Sequence, residues 1–328
     1  MAATTVEISR RGQWVAVPSV TVDSSVVVVT GRWIRVASVL DENWAVNEIE
    51  DPARCIETLK RSHLHGARAD LFTFAQKPPS TVPCYFYPVE WESVAAVQVS
   101  SFSEWWEKLP QATRKNVRRA QKRGVVVEVK ELDDDLLRGI VEVQNDCAFR
   151  QGRPYYHYGK SLEQVKRDFS AFLDRSDFIC AYFEDELIGF LQLVYRGDVA
   201  SILQQTPKIR HSDKRPANAM IAKAVELCAE KGIRCLTYGL YNYQIESHIS
   251  LREFKARNGF EELRIPRYYV PLTRWGKVCV RMKLYHSPFR VLPRSVIHFL
   301  ACARAKLYAA IFSMSRHSST PEPPNCVR

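Results

Sequence analysis

The first hundred residues alternate between short apolar runs and turn residues. QWVAVPSV, SSVVVVT and RWIRVASVL are rich in β-branched and aromatic residues and are bounded by turn residues, which is typical of strands. DPARCIETLKRSHLHGA has an Asp cap, a Pro at the first helical position and a Gly stop, so it predicts a helix. ADLFTFAQ, CYFYPVEW and SVAAVQVSSF predict further strands after this helix.

A basic connector follows. SFSEWWEKLPQATRKNVRRAQKRG predicts one helix that ends at Gly124. Its cationic face carries Arg114, Lys115, Arg118, Arg119, Lys122 and Arg123. The patterns over residues 125–272 then predict strand, helix, helix, three strands, helix, strand, helix and strand. The first hundred residues echo the second half of this order, so we expect a divergent internal duplication.

The pattern after residue 275 changes to a basic amphipathic helix and a polar end. In LPRSVIHFLACARAKLYAAIF one helical face is apolar and the other basic. Such a face either lies on an anionic membrane surface or packs on its own protein or a dimer partner. SRHSSTPEPPNCVR predicts a disordered end. We therefore divide the chain into a degenerate N-terminal half (1–104), the connector (105–124), a main domain (125–275) and a basic tail (276–328).

Composition restricts the class of protein. Hydrophobic residues make up 46% and charged residues 25%, which is typical of a globular chain. Nine cysteines occur singly without metal-ligand spacing, so we expect a reduced compartment, no disulfide framework and no metal. The first residues lack the apolar core of a secretion signal, and no run of about 18 apolar residues predicts a spanning helix. We expect a soluble cytoplasmic protein.

The net charge of +11 is concentrated near the end of the chain. After Glu262 there are twelve Lys and Arg residues against one acid, Glu322. This basic tail indicates either an acidic partner (a phospholipid surface, RNA or an anionic substrate) or a solvated tail without a partner. No DNA partner is expected, because no nucleic-acid reader motif is present.

Two stretches resemble a known superfamily. The first is LPQATRKNVRRAQKRGVVVEV, and the second is RPANAMIAKAVELCAEKGIRCLTYGL with SLREFKARNGF, in which Phe254, Lys255 and Gly259 form a Phe-Lys-x-x-x-Gly pattern. Their order and spacing resemble the GNAT acyltransferases, more narrowly the Fem-type peptidyltransferase and cellulose-biosynthesis-type acetyltransferase branch. The resemblance implies an α/β (α+β) fold with tandem GNAT-like domains, in which mixed central sheets are flanked by helices.

The resemblance also implies a donor site. In the superfamily, a Gln/Arg-x-x-Gly-x-Gly/Ala loop before the third helix holds the pyrophosphate of coenzyme A on backbone N–H groups. Here Lys214, Ala217 and Ala219 stand in this pattern, while Pro216 removes one N–H donor. The implied ligand is acyl-coenzyme A, for instance acetyl-coenzyme A. The implied donor-binding residues are Gln204, Gln205, Thr206, Lys214, Arg215, Ala217, Asn218 and Ala219, and the alternative is a helix that only packs on the sheet.

The catalytic residues follow from the same resemblance. Many superfamily members have a tyrosine acid where this chain has Lys255, and the Fem-type branch implies a lysine that stabilises charge at the reacting carbonyl. The alternative for Lys255 is a solvated surface residue. SILQQTP stands in the place of the strand whose free N–H binds the acyl carbonyl. The candidate bases are Glu246, His248 and Tyr238, and a water chain is the alternative.

An aromatic loop predicts the acceptor site. RQGRPYYHYGKS joins the first two helices of the main domain, where the superfamily usually builds its acceptor pocket. Its rings give stacking surface with hydrogen-bonding tips, or they pack across the seam between the two domains. The candidates are Tyr155, Tyr156, His157 and Tyr158, with Asn145 and Asp146 on the preceding helix.

Three functions remain open at this point. The first is an N-acyltransferase that moves an acyl group from acyl-coenzyme A to an amine on a small molecule or a cell-envelope acceptor. The second is an aminoacyl-tRNA-dependent, Fem-like peptidyltransferase with tRNA as a partner. The third is a non-catalytic adaptor with the same fold. The expected location is the cytoplasm, or the inner face of the membrane through the basic helix.

Overall fold

The structure is a computed structural model that describes residues 4–10, 13–61, 67–150, 153–242 and 249–285. The N-terminal part consists of six strands and one helix: β1 (Thr4–Arg10), β2 (Gln13–Val22), β3 (Ser25–Thr30), β4 (Val36–Val39), α1 (Pro52–Arg61), β5 (Leu71–Ala75) and β6 (Val89–Gln98). Strand β1 had no counterpart among the predicted elements. The predicted strand RWIRVASVL is shorter in the structure, because residues 32–35 form a loop before β4.

The connector is two helices, so the prediction of one helix is wrong. Helix α2 (Phe102–Lys108) and helix α3 (Gln111–Lys122) are separated at Leu109 and Pro110. Leu109 is extended, with φ −66° and ψ 144°. The ring of a proline pushes the residue before it out of the helical region, and this ends α2.

The remaining elements follow the predicted order, with the addition of a short hairpin before the second helix and a helix directly after the last strand, neither of which was predicted. They are β7 (Val126–Lys130), α4 (Asp134–Gln144), the short hairpin β8 (Phe149–Arg150) and β9 (Arg153–Pro154), α5 (Leu162–Asp168), β10 (Ser176–Phe183), β11 (Glu186–Arg196), β12 (Val199–Pro207), α6 (Pro216–Glu230), β13 (Cys235–Leu240), α7 (Ile249–Arg257), β14 (Glu261–Pro271) and α8 (Arg274–Arg281). Local chemistry starts these helices: Asp133 caps α4, and Ser161 and Gln164 form a capping box on α5.

The strands other than β8 and β9 form one twelve-stranded sheet in the order β1-β2-β3-β4-β5-β14-β6-β13-β12-β11-β10-β7. Its pairs are antiparallel except β4–β5 and β12–β13, which are parallel. Each parallel pair is joined through a helix, α1 in one half and α6 in the other. The halves exchange strands at the centre: β6 pairs with β13, and β14 pairs with β5. The predicted tandem fold is confirmed.

Strand directions place several elements at one edge of the sheet. Strands β12 and β13 are parallel, and β14 runs in the same direction because β6 is antiparallel to both β13 and β14. These three strands therefore end at one edge, which we call the carboxyl edge. Strands β4, β5 and β6 begin at this edge, and β3 ends there.

Both faces of the C-terminal half are covered. On one face, α2, α3 and α6 pack on Ile179, Leu191 and Ile202. On the other face, α4 and α5 pack on Phe178, Cys180 and Phe190. These partners alternate along β10 as the period of a strand requires.

The predicted basic tail is described only at its start. Helix α8 lies within the described residues, whereas LPRSVIHFLACARAKLYAAIF and the polar end after it lie outside them. None of the helices in the described ranges combines the length and the apolar character needed to cross a bilayer.

Candidate active site

The parallel strands β12 and β13 separate at the carboxyl edge. They pair over only three residues of β12, ending at Ser201, although β12 has nine residues. On its other side, β12 has one extra residue, Leu203, in its register with β11. A bulge of this kind bends a strand and interrupts its ladder. The unpaired region beyond it, which we call the β12–β13 gap, has Gln204 and Gln205 half-buried on its β12 side.

Lys255 holds the other side of the gap. Tyr238 and Gly239 form a bulge of β13 against β6. The Lys255 ammonium Nζ donates to the carbonyl oxygens of Tyr238 (2.5 Å) and Leu240 (2.7 Å) and lies 4.4 Å from the centre of the Tyr238 ring. Its side chain belongs to α7 but is only 1% exposed. The alternative of a solvated surface lysine is therefore wrong.

The environment of Lys255 changes its acidity. Burial lowers the pKa of Lys255 from 10.5 to about 7, because a buried site disfavours the charged form. Both protonation states are therefore present near neutral pH. Of the other predicted catalytic residues, Tyr238 adjoins Lys255, whereas Glu246 and His248 lie outside the described residues.

The N-terminus of α6 does not form the cradle expected for coenzyme A. The N–H groups of Asn218 and Ala219 donate to the Arg215 carbonyl, at 3.2 and 3.4 Å. Pro216 has no N–H, and the side chain of Gln205 donates to the Ala217 carbonyl at 2.9 Å. The N–H groups of Asn218 and Ala219 are thus used within the turn, and the methyl group of Ala217 stands where a glycine would admit the pyrophosphate. These residues do not fit coenzyme A in the manner of the superfamily.

The cations near this helix are largely neutralised. Lys208 is 1% exposed and lies 2.6 Å from Glu186, which also accepts hydrogen bonds from Arg210 and His211. Burial alone would raise the pKa of Glu186, but the hydrogen bonds from Lys208 and Arg210 outweigh it and lower the pKa to about 2. Lys214 lies over the ring of Phe183 at 4.4 Å.

A buried amide pair connects the donor side to α7. Asn218, predicted to bind the donor, is 8% exposed, and its Nδ2 donates to Asn258 Oδ1 at 3.0 Å. Asn258 in turn donates to the Phe254 carbonyl and accepts from Trp105 Nε1 through its own carbonyl. This network fixes the start of α6 against the helix that carries Lys255.

The aromatic loop lies beside the end of β12. The Tyr155 hydroxyl is 3.2 Å from Thr206 Oγ1, to which Gln204 Nε2 also donates. The Arg150 guanidinium lies 4.5 Å from the centre of the Tyr155 ring and donates to the Pro207 carbonyl. The predicted acceptor loop and the predicted donor strand are therefore in direct contact.

Asn145 and Asp146 were expected on the helix, but α4 ends at Gln144, so Asn145 is its C-cap and Asp146 follows it. These two residues attach the loop and the segment after β12 to the end of α4. Asn145 Oδ1 accepts the Gly159 N–H at 2.7 Å. Asp146 Oδ2 accepts the Ile209 N–H at 2.5 Å. Both predicted acceptor residues thus have a positioning contact in the structure.

His157 is buried in the same loop. It is 7% exposed, and its ring centre lies 3.8 Å from that of Tyr156, whereas Tyr156 and Tyr158 are exposed. Lys160 Nζ is 3.4 Å from His157 Nδ1 and pairs with Asp168. Burial first, and then the cations Lys160 and Arg150, lower the pKa of His157 from 6.5 to about 3.

Replacing His157 with phenylalanine is expected to remove an acid-dependent loss of stability. Between about pH 6.5 and 3, His157 is protonated in the unfolded chain and neutral in the folded chain. The stability of the folded state is therefore unaffected by protonation of this residue above pH 6.5 and decreases as the pH falls below that value. At pH 5 the loss is about 2 kcal/mol. Urea unfolding of both proteins at pH 7 and pH 5 measures it, and equal losses in wild type and variant would contradict the assignment.

Gln144 is a residue of this region that the sequence analysis missed. It is 1% exposed, and neither atom of its amide group has a hydrogen-bond partner within the described residues. It follows Ile140 by one helical turn on the buried face of α4. A polar residue at an apolar-face position was the signal that could have identified it.

The described part of the N-terminal half has no comparable gap. Beyond the parallel pair β4–β5, Glu42 is buried and accepts the Ala75 N–H at 2.8 Å. Arg267 lies 2.7 Å from Glu42, and Lys77, 3% exposed, lies 3.4 Å from it. Glu92 also pairs with Arg267. The chain's own ion pairs therefore fill the position that corresponds to the β12–β13 gap.

The described residues include no group of three or more His, Cys, Asp or Glu side chains placed to hold a metal ion. Residues 108–255 match the family model described as Acetyltransferase (GNAT) domain. No curated protein shows significant sequence similarity to this chain.

Solved structures with a similar fold extend over most of the chain. L-PGS from Bacillus licheniformis has a TM-score of 0.51 at 15% identity, over 78% of this chain and 85% of that one. The C-terminal domain of a protein described as a lysylphosphatidylglycerol synthetase, from Agrobacterium fabrum, has 0.52 at 15% identity, over 80% and 86%. A conserved protein of unknown function from Bacteroides thetaiotaomicron has 0.52 at 12% identity, over 78% and 86%.

At these identities the similarity concerns the fold. It covers both halves of the twelve-stranded sheet, whereas the family model covers the connector and the C-terminal half up to Lys255. The segment from residue 108 to residue 255 is therefore similar to the GNAT acetyltransferase domain, and the fold of the chain is similar to that of these solved structures.

Proposed function

We propose that the chain is an N-acyltransferase in which an amine attacks an activated acyl carbonyl at the β12–β13 gap. The new bond joins the amine nitrogen to the acyl carbon, the bond from that carbon to the sulfur or oxygen of the carrier breaks, and the carrier leaves as a thiol or hydroxyl after taking a proton. The observation that carries the proposal is the separation of β12 from β13 beside Tyr155, Thr206 and Gln204. This geometry can hold both reactants close together, and proximity contributes strongly to such a step.

Lys255 acts in this proposal as a positioning residue. Its hydrogen bonds to the Tyr238 and Leu240 carbonyls hold the end of β13 towards α7 and away from β12. These two hydrogen bonds to backbone carbonyls carry the assignment, which concerns the geometry of the gap. The base that accepts the proton of the amine stays a prediction among Glu246, His248, Tyr238 and water.

The donor is the second part of the proposal. Acyl-coenzyme A is the donor expected from the superfamily, but the α6 N-terminus does not fit its pyrophosphate, so no step is assigned to it. Aminoacyl-tRNA is favoured by the surface of α3, where Lys115, Arg118, Arg119 and Lys122 are exposed. Arg123 connects the end of α3 to Asp213, just before α6. A polyanionic carrier bound along α3 would therefore reach the gap region from the donor side.

Two double variants distinguish the donors. Lys115→Glu with Arg119→Glu reverses charge on α3, and Arg274→Glu with Lys277→Glu makes the same charge change on α8. We expect the full chain to bind aminoacyl-tRNA in a salt-sensitive manner, with the α3 variant weakened about 10-fold or more and the α8 variant unchanged. Filter binding over a salt series and thermal unfolding with acetyl-coenzyme A are the measurements.

The outcomes separate the three functions. A rise in melting temperature with acetyl-coenzyme A, without tRNA binding, would identify acyl-coenzyme A as the donor. Transfer of the labelled acyl group to added amines, followed by mass spectrometry, tests the reaction with either donor. Binding of neither donor would support the adaptor function instead. The acceptor proposed is an amine on a small molecule or in the cell envelope, and the location proposed is the cytoplasm or the inner membrane face.

A further inference from the structure

A surface at the carboxyl edge combines exposed apolar and basic side chains. Its apolar members are Trp33 (90% exposed), Trp275 (46%), Val278 (41%) and Met282 (62%). Its basic members are Arg32, Arg35, Arg274, Lys277 and Arg281, all exposed. We call these nine residues the Trp33–α8 patch. We propose that this patch binds the surface of an anionic lipid bilayer.

The patch is built on a fixed support. The buried Asp70 accepts the Arg35 N–H at 3.0 Å and the Thr273 hydroxyl at 3.0 Å, so one carboxylate connects the 31–35 loop to the start of α8. Thr273 in turn caps α8 by accepting the Gly276 N–H at 2.9 Å. A side chain at Gly276 would meet the Asp70 carbonyl at 2.0 Å, so the helix lies directly against the strand start.

The loop and the helix also contact each other. Trp275 Nε1 is 3.4 Å from the Trp33 carbonyl. Gly31, with φ 99°, turns the chain so that residues 32–35 lie outside the sheet. Trp33 is thus held outward by its backbone, and no neighbouring element in the described chain covers it.

Helix α8 has the residue pattern of a helix that lies in a membrane interface. Trp275, Val278 and Met282 are three and four residues apart and form one apolar stripe. Arg274, Lys277 and Arg281 lie together along one side of this stripe, while Gly276 and Cys279 are buried against the protein. Tryptophan at the headgroup level and basic residues beside an apolar face are the features by which such helices bind anionic membranes.

The charge of the patch selects its partner. None of the five basic residues takes part in an ion pair within the ranges that the structure describes. Glu90 pairs with Lys283, which follows α8, and accepts a hydrogen bond from the Tyr285 hydroxyl. Five exposed cations that are not paired with carboxylates favour binding to a negatively charged surface. Each cation contributes to the electrostatic attraction to such a surface.

The other occupants fit less well. The segment after Tyr285 is itself basic, with Arg290, Arg294, Arg304 and Lys306 and only one acid, so like charges oppose its docking here. A nucleic acid would use the arginines and the tryptophan rings but has no use for the aliphatic stripe of Val278 and Met282. A second copy would bring the same positive charge to the interface.

The Trp33–α8 patch lies on the same edge of the sheet as the β12–β13 gap. It lies at the carboxyl edge, where β12 and β13 also end. From β4 to β12 there are five strand steps, so the lateral distance is roughly 24 Å at about 4.8 Å per strand. A chain bound through the patch would hold the β12–β13 gap near the membrane surface. The patch itself stands on its own contacts, independently of any acyl transfer.

Vesicle co-sedimentation of the full chain tests the proposal. The probes are phosphatidylcholine vesicles with and without phosphatidylglycerol. We expect binding only to the anionic vesicles, weakened by salt, and a decrease of about 10-fold or more for Trp33→Ser with Trp275→Ser and for Arg274→Glu with Lys277→Glu. The matched controls are Trp91→Ser, an exposed tryptophan on β6, and Lys115→Glu with Arg119→Glu on α3.

Fluorescence gives a second readout that does not depend on folding of the charge variants. Brominated lipid should quench wild-type tryptophan emission, and Trp33→Phe with Trp275→Phe should lose this quenching. Absence of wild-type binding to anionic vesicles, or equal binding of the patch variants and the controls, overturns the proposal. The proposal is also overturned if the patch variants lose tRNA binding and keep vesicle binding. The same holds if the serine variant dissociates from a dimer to a monomer without any change in vesicle binding.

Discussion

Replacing Lys255 with methionine is expected to lower acyl transfer by about 100-fold or more, because a displacement of about 1 Å at a reacting centre is enough for such a loss. The variant keeps the volume of the side chain but loses both hydrogen bonds to the end of β13. The measurement is kcat/KM with the donor that the binding experiments identify. Lys130→Met, at an exposed lysine of β7, is the control.

The same variant has a signature in stability. The folded pKa of about 7 lies below the unfolded value of 10.5, so above pH 7 the unfolded chain holds a proton that the folded chain has released. Stability of the wild type therefore rises with pH in this window, by about 2 kcal/mol from pH 7 to 9. Lys255→Met lacks this rise. Burial also raises the pKa of the Cys55 and Cys180 thiols, but these groups are the same in both proteins and cancel in the difference. Unchanged transfer in the variant, or parallel stability profiles, would argue against the assigned role.

Replacing Glu42 with glutamine is expected to destabilise the protein by about 3–5 kcal/mol, because it leaves Arg267 and Lys77 buried without their shared carboxylate. Glu42 lies 2.7 Å from Arg267 and 3.4 Å from Lys77. Burial would raise the pKa of Glu42, but Arg267 and Lys77 outweigh it and lower the pKa below its usual value. Its contribution is thus present above about pH 4.5 and is lost as the pH falls below that value.

Urea unfolding at pH 7 measures the effect. The control is Glu128→Gln, which breaks an exposed pair with Lys130 and should cost at most about 1 kcal/mol. Equal effects of the two substitutions would mean that the buried network does not hold the N-terminal half together. The network also bears on the proposed function, because among the described residues it fills the N-terminal counterpart of the β12–β13 gap.

Local patterns in the sequence were sufficient for the order of elements. Alternation and turn residues predicted the three strands β10–β12, and the Asp, Pro and Gly signals predicted α1. The echo between the halves predicted the tandem fold. Pro110 was visible in the sequence as a helix breaker, yet its neighbours on both sides favour helix, and the break between α2 and α3 was missed for that reason.

The candidate site was predictable in its residue types and not in their environments. The lysine in SLREFKARNGF could be singled out from its position in a motif. Its burial could not, because a short helix with several charged residues has no clear apolar face, and only the packing of α7 against β13 buries Lys255. Likewise, the resemblance of the loop before α6 implied phosphate binding, but Glu186, distant in sequence, neutralises Lys208 and Arg210 beside that loop.

The sequence by itself determined which segments are strands and helices, the tandem plan and the excess of positive charge, since these depend on neighbours within a few residues of each other. Only the tertiary structure decided the exchange of β6 and β14, the separation of β12 from β13 and the outward position of Trp33. Each of these results from contacts between residues far apart along the chain, such as Asp70 with Thr273 and Tyr155 with Thr206. Local propensity contains no information about such contacts, and the free energy of packing and hydrogen bonding selects them.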